Sequence, residues 1–498
     1  MRAPTPGEAR AVLTAAIGLL AAASRCADVA TSSSDPNGFL RSLFTLDVSD
    51  GFLIACALFA ILGATRRSLV DSTYDAIGRT CAISTLMTLG GSTTRAGRTR
   101  ARALSASASV AYADAWSPAT PKKAFISAFG WVLLSRVLNG AFVPEAIAVA
   151  CARACAWGLH GASAEGDTTA LSIGFAVVAE WCAQIWLDSR VGGTAKYSEA
   201  SALGGAYALA GCAFLLASAR LVCWAEPASR ATQLGVVAAA LVVPEMFYRV
   251  TSSSRLGMVP GLIRYVFATT KPDALASLAT LWCTGVATAL GLAYNARSLP
   301  LTMRRKAFHF LAVVMFAPTL VPDSEHGELI RVAFTVAFAL FAALECARVF
   351  DAYYGHGLFG WKLSIFFAQF VGDTVVSLLI LDHFSLLLGV AVPIWLSDDQ
   401  NSLVPWAGVL TLGVGDSFAS IVGSAVGRHR VFGEKSFKTL EGAIAFAVST
   451  YVAALYVGVD VDPTRLAFAC VGTALCELSI EGADNLVLPL VFTALLSA

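Results

Sequence analysis

Charged residues are scarce along the whole of this chain. Only 14% of its 498 residues are Asp, Glu, Lys or Arg, whereas 57% are hydrophobic. Soluble domains are typically about 25% charged and about 45–50% apolar. Because the shift affects the entire chain rather than one segment, the composition excludes a soluble globular protein and predicts a polytopic membrane protein.

Two further features are missing. The formal net charge is only +1 and no strongly basic domain is present, so nothing in the sequence points to a nucleic acid partner. Membrane barrels need alternating strands of about ten residues, but here the apolar runs are continuous and rich in Ala and Leu. The sequence therefore predicts an all-α polytopic transmembrane helical bundle.

Cysteine is present, but without the spacing of a metal site. Most of the 12 cysteines lie within apolar stretches, where a free Cys behaves as a small hydrophobic residue. Cys151 and Cys155 lie on one helix face, yet no second Cys or His pair accompanies them. We interpret the cysteines as packing residues and not as a redox or metal centre.

A spanning helix needs roughly 20 apolar residues, and apolar segments with short polar breaks predict about 14–16 spans. The first, near 11–24, follows two arginines and has a signal-peptide core as its alternative; we favour a span. The predicted spans are near 11–24, 51–64, 124–142, 145–160, 169–187, 201–224, 232–248, 274–294, 307–321, 329–350, 363–381, 384–396, 403–426, 440–458, 464–480 and 484–498.

The chain divides into two regions of different character. Residues 1–300 form an Ala-rich multi-span helical region to which the sequence assigns no role. Residues 301–498 hold nearly all the polar groups set within apolar segments, so we predict that this region is the catalytic membrane domain. Short basic loops tend to face the cytosol, which places the basic loop 428–438 on that side.

Asp416 is the most informative residue. It ends the sequence Gly413-Val-Gly-Asp within a long apolar run, where an ionisable group costs about 2.5–3.5 kcal/mol on insertion scales. A carboxylate is a natural Mg²⁺ ligand near phosphate, so we predict that Asp416 is catalytic and binds the metal. The glycines around it, Gly413 to Gly427, have two open interpretations, a ligand site or tight helix packing.

A basic loop follows directly. Loop amides together with Lys or Arg commonly bind phosphate, although the Walker A spacing is absent. Contact with anionic lipid is the alternative. Because the loop lies between Asp416 and Glu441-Gly442, we favour phosphate binding. Its candidate residues are Gly427, Arg428, Arg430, Gly433, Lys435 and Lys438.

Other polar groups are weaker candidates. His309 follows Arg304-Arg305-Lys306 and is either a structural residue or a phosphate contact. Glu345 and Arg348 lie three apart on one helix face, as a structural ion pair or as support for a site. Three carboxylates before the last span, Glu477, Glu481 and Asp484, favour a functional role together with the neighbouring Asn485. Asp373 and His383 are isolated and are weaker candidates.

These motifs together resemble the polyprenol kinases, and among them most closely the dolichol kinases. The resemblance rests on Gly-Val-Gly-Asp416-Ser-x-Ala-Ser, on Lys-x₂-Lys438-Thr-Leu-Glu441-Gly442 and on Glu-x₆-Asp484-Asn-Leu-x-Leu-Pro-Leu. Segments 387–396 and 403–410 and the Arg-Lys-x₂-His309 start add to it, so it covers roughly 300–498. The chain departs from the pattern at Ala443, where the family commonly has Thr, and in a slightly longer loop around 436–437.

The resemblance implies a multi-pass enzyme of the endoplasmic reticulum membrane. Such an enzyme transfers the γ-phosphoryl group of CTP to the terminal hydroxyl of dolichol, which becomes the lipid carrier for protein glycosylation. Its CTP-binding loop faces the cytosol and corresponds here to Gly427 through Gly442, including Thr439. No nucleic acid partner is implied, and the oligomeric state stays open.

The implied roles follow from phosphoryl-transfer chemistry, which needs positioning and charge neutralisation. Asp416 would hold Mg²⁺, and Lys435 and Lys438 would contact the triphosphate. Glu441 or Asp484 would accept the proton of the lipid hydroxyl or hold a second metal. The alternatives are a kinase for a shorter isoprenoid alcohol, a CTP-using lipid cytidylyltransferase and a transporter.

Overall fold

The computed structural model describes part of the chain. The described residues are 165–191, 199–223, 230–252, 254, 256–295, 301–321, 327–354, 379–397, 399, 401–431, 438–479 and 484–497, with isolated residues at 147, 151, 155 and 158–159. Several predictions lie outside them: the spans near 11–24, 51–64, 124–142 and 363–381, most of 145–160, and the residues Asp373, Gly433, Lys435 and Glu481.

The described residues form helices and no strands, which confirms the all-α fold. The α-helices are α1 (Glu165–Val191), α2 (Glu199–Cys223), α3 (Arg230–Thr251), α4 (Met258–Thr269), α5 (Pro272–Asn295), α6 (Leu301–Phe316), α7 (Gly327–Tyr354), α8 (Asp382–Leu396), α9 (Ser417–Val426), α10 (Leu440–Val457), α11 (Pro463–Ser479) and α12 (Asp484–Ser497). Short 3₁₀ turns cover Ala317–Thr319 and Val404–Trp406, and a π-helix covers Val409–Asp416.

Six segments of the described residues are long and apolar enough to cross a membrane, which confirms a multi-pass membrane protein. They are Glu199–Arg220, Leu234–Thr251, Pro272–Leu292, Gly327–Asp351, Val409–Val426 and Leu440–Val457. The count of about 14–16 spans concerns the whole chain and stays a prediction.

One helix was not predicted from the sequence. Helix α4 has only 12 residues, whereas a span needs roughly 20. The sequence therefore predicts no span between 248 and 274. The carboxylate of Glu245 on α3 accepts a hydrogen bond from the Met258 amide over 2.8 Å. That bond satisfies one of the amides at the start of α4 and fixes the helix against α3.

The core lies where α1, α2, α7 and α8 meet, and aromatic rings fill its centre. Trp395 on α8 stacks on Trp181 of α1 at 6.5 Å between ring centroids and meets Phe338 of α7 edge-on at 6.3 Å. Gly211 on α2 permits this packing, since a Cβ there would lie 2.3 Å from the Phe338 ring. The aromatic packing therefore fixes α7 and α8 relative to each other.

Helices α3 and α5 lie at the periphery of the described bundle. Only 17% and 11% of their most apolar stretches are buried, and large side chains such as Leu241, Met246 and Val286 are exposed. An apolar surface of this extent is compatible with hydrocarbon and not with water. Among the described residues nothing covers these surfaces, and their composition suits an apolar environment.

The 3₁₀ turn at Val404, the π-helix and α9 follow one another without a break, and we call residues 404–426 the central rod. It packs between α6 and α10. A Cβ on Gly413 would lie 2.2 Å from Val313 of α6, and one on Gly415 would lie 2.4 Å from the Thr450 hydroxyl of α10. These two glycines therefore serve helix packing, and they bring α6 and α10 up to the segment that ends in Asp416.

Candidate active site

Asp416 is the last residue of the π-helix, and its side chain is only 5% exposed. Its Oδ2 atom accepts a hydrogen bond from the Lys306 ammonium and lies 3.2 Å from His309 Nδ1. Both partners come from α6, where a spacing of three residues puts them on one face. Isolated π-helical turns inside α-helices are frequent at functional sites, and here the turn sets the direction of Asp416.

His309 joins α6 to the central rod. Its Nδ1 lies 3.1 Å from the Leu412 carbonyl as well as near Asp416 Oδ2, and the ring is 4% exposed. A carbonyl oxygen and a carboxylate oxygen can only accept hydrogen bonds, so Nδ1 carries the hydrogen. His309 thus donates to both groups and orients the Asp416 carboxylate.

Lys438 forms the other side of the site. It lies in the loop just before α10, its side chain is 25% exposed, and its ammonium donates to Glu477 of α11. Burial lowers the pKa of Lys438, but the carboxylates of Glu477, Asp484 and Asp416 together raise it above its ordinary value. Lys438 therefore stays protonated at neutral pH, within electrostatic range of three carboxylates.

We call these six residues the charge cluster: Lys306, His309, Asp416, Lys438, Glu477 and Asp484. Charged groups in membrane segments are rare, are generally paired and mark functional sites. Three carboxylates face two ammonium groups, so the cluster has one negative charge in excess when His309 is neutral. A divalent cation with a phosphate group could be accommodated there without a net charge penalty.

The donor set fits a metal that arrives with its substrate. Both contacts of Asp416 are made to Oδ2, so neither occupies Oδ1. Mg²⁺ is usually held by one or two carboxylates plus substrate phosphates. Within the described parts of the chain, no three His, Cys, Asp or Glu side chains are close enough to hold an ion by themselves. The residues present thus suit shared coordination and not an all-protein cage.

The start of the basic loop is docked on the first turn of α10. A Cβ on Gly427 would lie 2.6 Å from the Thr439 hydroxyl, which itself accepts a hydrogen bond from the Gly442 amide over 3.2 Å. The Leu440 amide donates to the His429 carbonyl over 2.9 Å. These contacts hold the two described ends of the loop, 427–431 and 438–439, against each other at the start of α10.

Glu441 belongs to this docking and not to the charge cluster. Its Oε1 lies 2.7 Å from His429 Nδ1, and both of its oxygens lie 3.3 Å from the His429 amide. Arg428 and Arg430, on either side of His429, are exposed. Glu441 thus holds the loop, while the two arginines lie where a nucleotide could approach.

The structure brings together four of the predicted residues: His309, Asp416, Lys438 and Asp484. Lys306, which the Arg-Lys-x₂-His309 motif contains, and Glu477, for which the sequence favoured a functional role, complete the charge cluster. A signal existed for both, since Lys306 lies one helical turn before His309 and Glu477 lies two turns before Asp484. The sequence did not show that Lys306 pairs with Asp416 or that Glu477 pairs with Lys438.

The remaining polar candidates are structural in this arrangement. Arg348 donates two hydrogen bonds of 2.7 Å to Glu345, which also accepts from the Ile380 amide over 2.9 Å. This pair ties α7 to the segment before α8. His383 packs against the Phe341 ring at 5.6 Å between centroids, and Asn485 donates to the Ser385 hydroxyl over 3.3 Å, which joins α12 to α8.

Comparisons with known proteins give one kind of relative. The chain is 33% identical over 252 residues to a dolichol kinase of Arabidopsis thaliana, a match that covers 48% of the chain and 43% of the relative. It is 36% identical over 217 residues to the dolichol kinase of Mus musculus, covering 40% and 38%. With the dolichol kinase of Schizosaccharomyces pombe, identity is 32% over 219 residues, covering 42% of each protein.

The chain spans less than half the length of these curated relatives in the matches. No family model matches it, and no solved structure matches it. The relatives nonetheless agree in kind across a plant, a mammal and a yeast. On these matches the chain is similar to dolichol kinases, in agreement with the resemblance that the motifs around Asp416 and Asp484 carry.

Proposed function

We propose that this protein is a membrane-embedded kinase that transfers the γ-phosphoryl group of CTP to the terminal hydroxyl of dolichol. The observation that carries the proposal is the charge cluster, in which a buried carboxylate within an apolar segment lies between two lysines. The relatives' shared description as dolichol kinases supports the acceptor. The choice of CTP over other nucleotides rests on the motif resemblance.

Phosphoryl transfer depends on positioning and on neutralising charge around the transferred group. In our proposal the triphosphate lies between Lys306 and Lys438, and Arg428 and Arg430 meet it from the solvent side. Asp416 Oδ1 would hold Mg²⁺. That ion, when bound together with the nucleotide, supplies charge neutralisation at the β- and γ-phosphates.

The proton of the lipid hydroxyl needs an acceptor near the phosphates. Asp484 lies in the charge cluster and begins α12, where one of its oxygens accepts from the Asn485 amide over 3.0 Å. Glu441 is engaged by His429 instead. We therefore propose that Asp484 is the base, and that Glu441 and His309 are positioning residues.

We also propose that the enzyme lies in the endoplasmic reticulum membrane with the basic loop on the cytosolic side, and that its product serves protein glycosylation. Arg428 and Arg430 are exposed at that end of α10, and short basic loops generally stay in the cytosol. This orientation gives the site direct access to cytosolic nucleotide.

The test uses the purified full-length protein with dolichol and each of CTP, ATP, GTP and UTP labelled in the γ-phosphate. We expect label to appear in dolichyl phosphate with CTP far ahead of the others, and CDP to be released in equal amount. Release of pyrophosphate would identify a cytidylyltransferase instead. Better turnover of a short isoprenoid alcohol than of dolichol would change the acceptor, and solute uptake without nucleotide turnover would indicate a transporter.

A further inference from the structure

An apolar groove of about 700 Å³ opens beside the central rod. The rod forms its floor, and α6 and α10 form its two walls. Its lining is almost entirely hydrocarbon, and the side chains that carry a polar atom are Trp406, Ser449 and Tyr456. Representative lining residues are Val313 on α6, Val414 and Phe418 on the rod, and Val448, Val452 and Tyr456 on α10.

The groove is elongated and, within the described part of the chain, open along one side. Its lining on α10 extends from Ala445 to Val457, which at 1.5 Å per residue is about 18 Å. That is more than half the roughly 30 Å thickness of a hydrocarbon core. Val448 is 58% exposed and Tyr456 is 89% exposed, so a chain from the bilayer can enter from the side.

One end of the groove adjoins the charge cluster. Val414 and Phe418 lie two residues on either side of Asp416, and Val313 lies one turn beyond His309 on α6. The Phe418 ring meets the Phe310 ring edge-on at 6.3 Å between centroids. This aromatic pair stands where the apolar lining ends and the charged residues begin.

We propose that the groove binds the isoprene units next to the hydroxyl of a long-chain polyprenol. The hydroxyl then passes the Phe310–Phe418 pair and reaches the charge cluster, while the rest of the chain leaves into the bilayer past Tyr456. The inference rests on the proposed function and adds to it the place where the lipid binds. Its basis is the apolar lining, the lateral opening, the length and the continuity with the charge cluster.

The experiment compares two substitutions on α10. Val448 lines the groove and is 58% exposed, whereas Ile444 is 56% exposed, is also β-branched and lies outside the lining. We expect Val448→Trp to fill the groove and raise the KM for dolichol about tenfold, which corresponds to losing a few apolar contacts, with the KM for CTP unchanged. Ile444→Trp should leave both constants unchanged, and so controls for a bulky ring on the lipid face.

A second measurement does not depend on how a variant folds. A polyprenol with a photoreactive group in its second isoprene unit should label the wild-type protein within 406–418 or 445–457, and excess dolichol should compete. Labelling elsewhere, or equal competition by phospholipid, would overturn the groove. So would identical kinetics of Val448→Trp and Ile444→Trp in an active enzyme. Groove labelling by a protein that phosphorylates no polyprenol would instead contradict the proposed function alone.

Discussion

At the scale of single residues, the site depends on how the Asp416 carboxylate is kept inside a membrane segment. A buried charge is tolerated only when a partner and hydrogen bonds offset its lost hydration. Lys306 and His309 supply both, and both act on the same oxygen. The ion pair is therefore a structural requirement of the segment as well as a part of the proposed chemistry.

Removing the Lys306 charge should destabilise the protein, because it leaves Asp416 buried with only His309. We expect Lys306→Met to cost about 3–5 kcal/mol of folding free energy, as for other buried pairs that lose one partner. Thermal unfolding in detergent measures it, with Arg305→Met as the control because Arg305 is exposed. Adding Asp416→Asn to Lys306→Met should restore part of the stability and no activity. If Lys306→Met is as stable as Arg305→Met, the ion pair is not needed for folding.

Lys438 makes a prediction about pH. Its folded-state pKa is raised by neighbouring carboxylates, above an ordinary value of about 10.4. The stability it contributes is fully present below the ordinary pKa and is lost only as pH rises through the raised value. Lys438 therefore keeps its positive charge between about pH 7 and 9.5, and the KM for CTP should not change over this range. The KM of Lys438→Arg should be equally constant. A rise in the wild-type KM over this range that Lys438→Arg abolishes would contradict the assignment.

At the scale of elements, the central rod is held by close approaches to α6 and α10. Helix α10 begins at Leu440, directly after Lys438 and Thr439, so its position against the rod sets the position of these two proposed phosphate-binding residues. Gly415 is the point of closest approach between them, since a Cβ there would lie 2.4 Å from the Thr450 hydroxyl and 2.9 Å from the Phe446 ring.

Enlarging Gly415 should consequently displace α10 and with it Lys438. We expect Gly415→Ala to cost about 1–3 kcal/mol of stability, as overpacking generally does, and to raise the KM for CTP. The control is Gly235→Ala on α3, where a Cβ would meet nothing within 4 Å. Unfolding temperatures and CTP kinetics of the two variants provide the measurement. If they behave alike, the close approach does not position the loop.

Many of the helices could be predicted from the sequence, because long apolar runs form helices in a bilayer. The runs near 329–350 and 440–458 correspond to α7 and α10. The π-helix could not be predicted, since the hydrogen-bond register of a helix is not encoded in its apolar pattern. Nor could the role of Gly413 and Gly415, which depends on the side chains of Val313, Phe446 and Thr450 on other helices. Asp416 was recognisable because an isolated carboxylate in an apolar run has few structural explanations.

At the scale of the whole molecule, the basic loop lies at one end of α10 and an acidic turn lies at the other. Arg428 and Arg430 precede α10, whereas Asp460 and Asp462 follow it. The 18 residues of α10 span about 27 Å, close to the thickness of a hydrocarbon core. In the proposed topology the two ends of α10 lie at opposite membrane faces.

This orientation can be tested by glycosylation in endoplasmic reticulum membranes. A cassette with an Asn-x-Ser/Thr acceptor site inserted after Gly458 should be modified, because the proposed topology puts that turn on the lumenal side. The same cassette inserted after Val431 should stay unmodified, because basic loops remain cytosolic. Modification after Val431 alone would reverse the topology and place the charge cluster away from cytosolic CTP.

The most direct test of the central claim is the rate of dolichyl phosphate formation by Asp416→Asn at saturating CTP and Mg²⁺. The account predicts a loss on the order of 100-fold or more in a protein that still folds, while Asp460→Asn, which changes an exposed carboxylate outside the charge cluster, keeps the wild-type rate. An Asp416→Asn enzyme that phosphorylates dolichol within about twofold of wild type, a difference under 1 kcal/mol, would contradict the account.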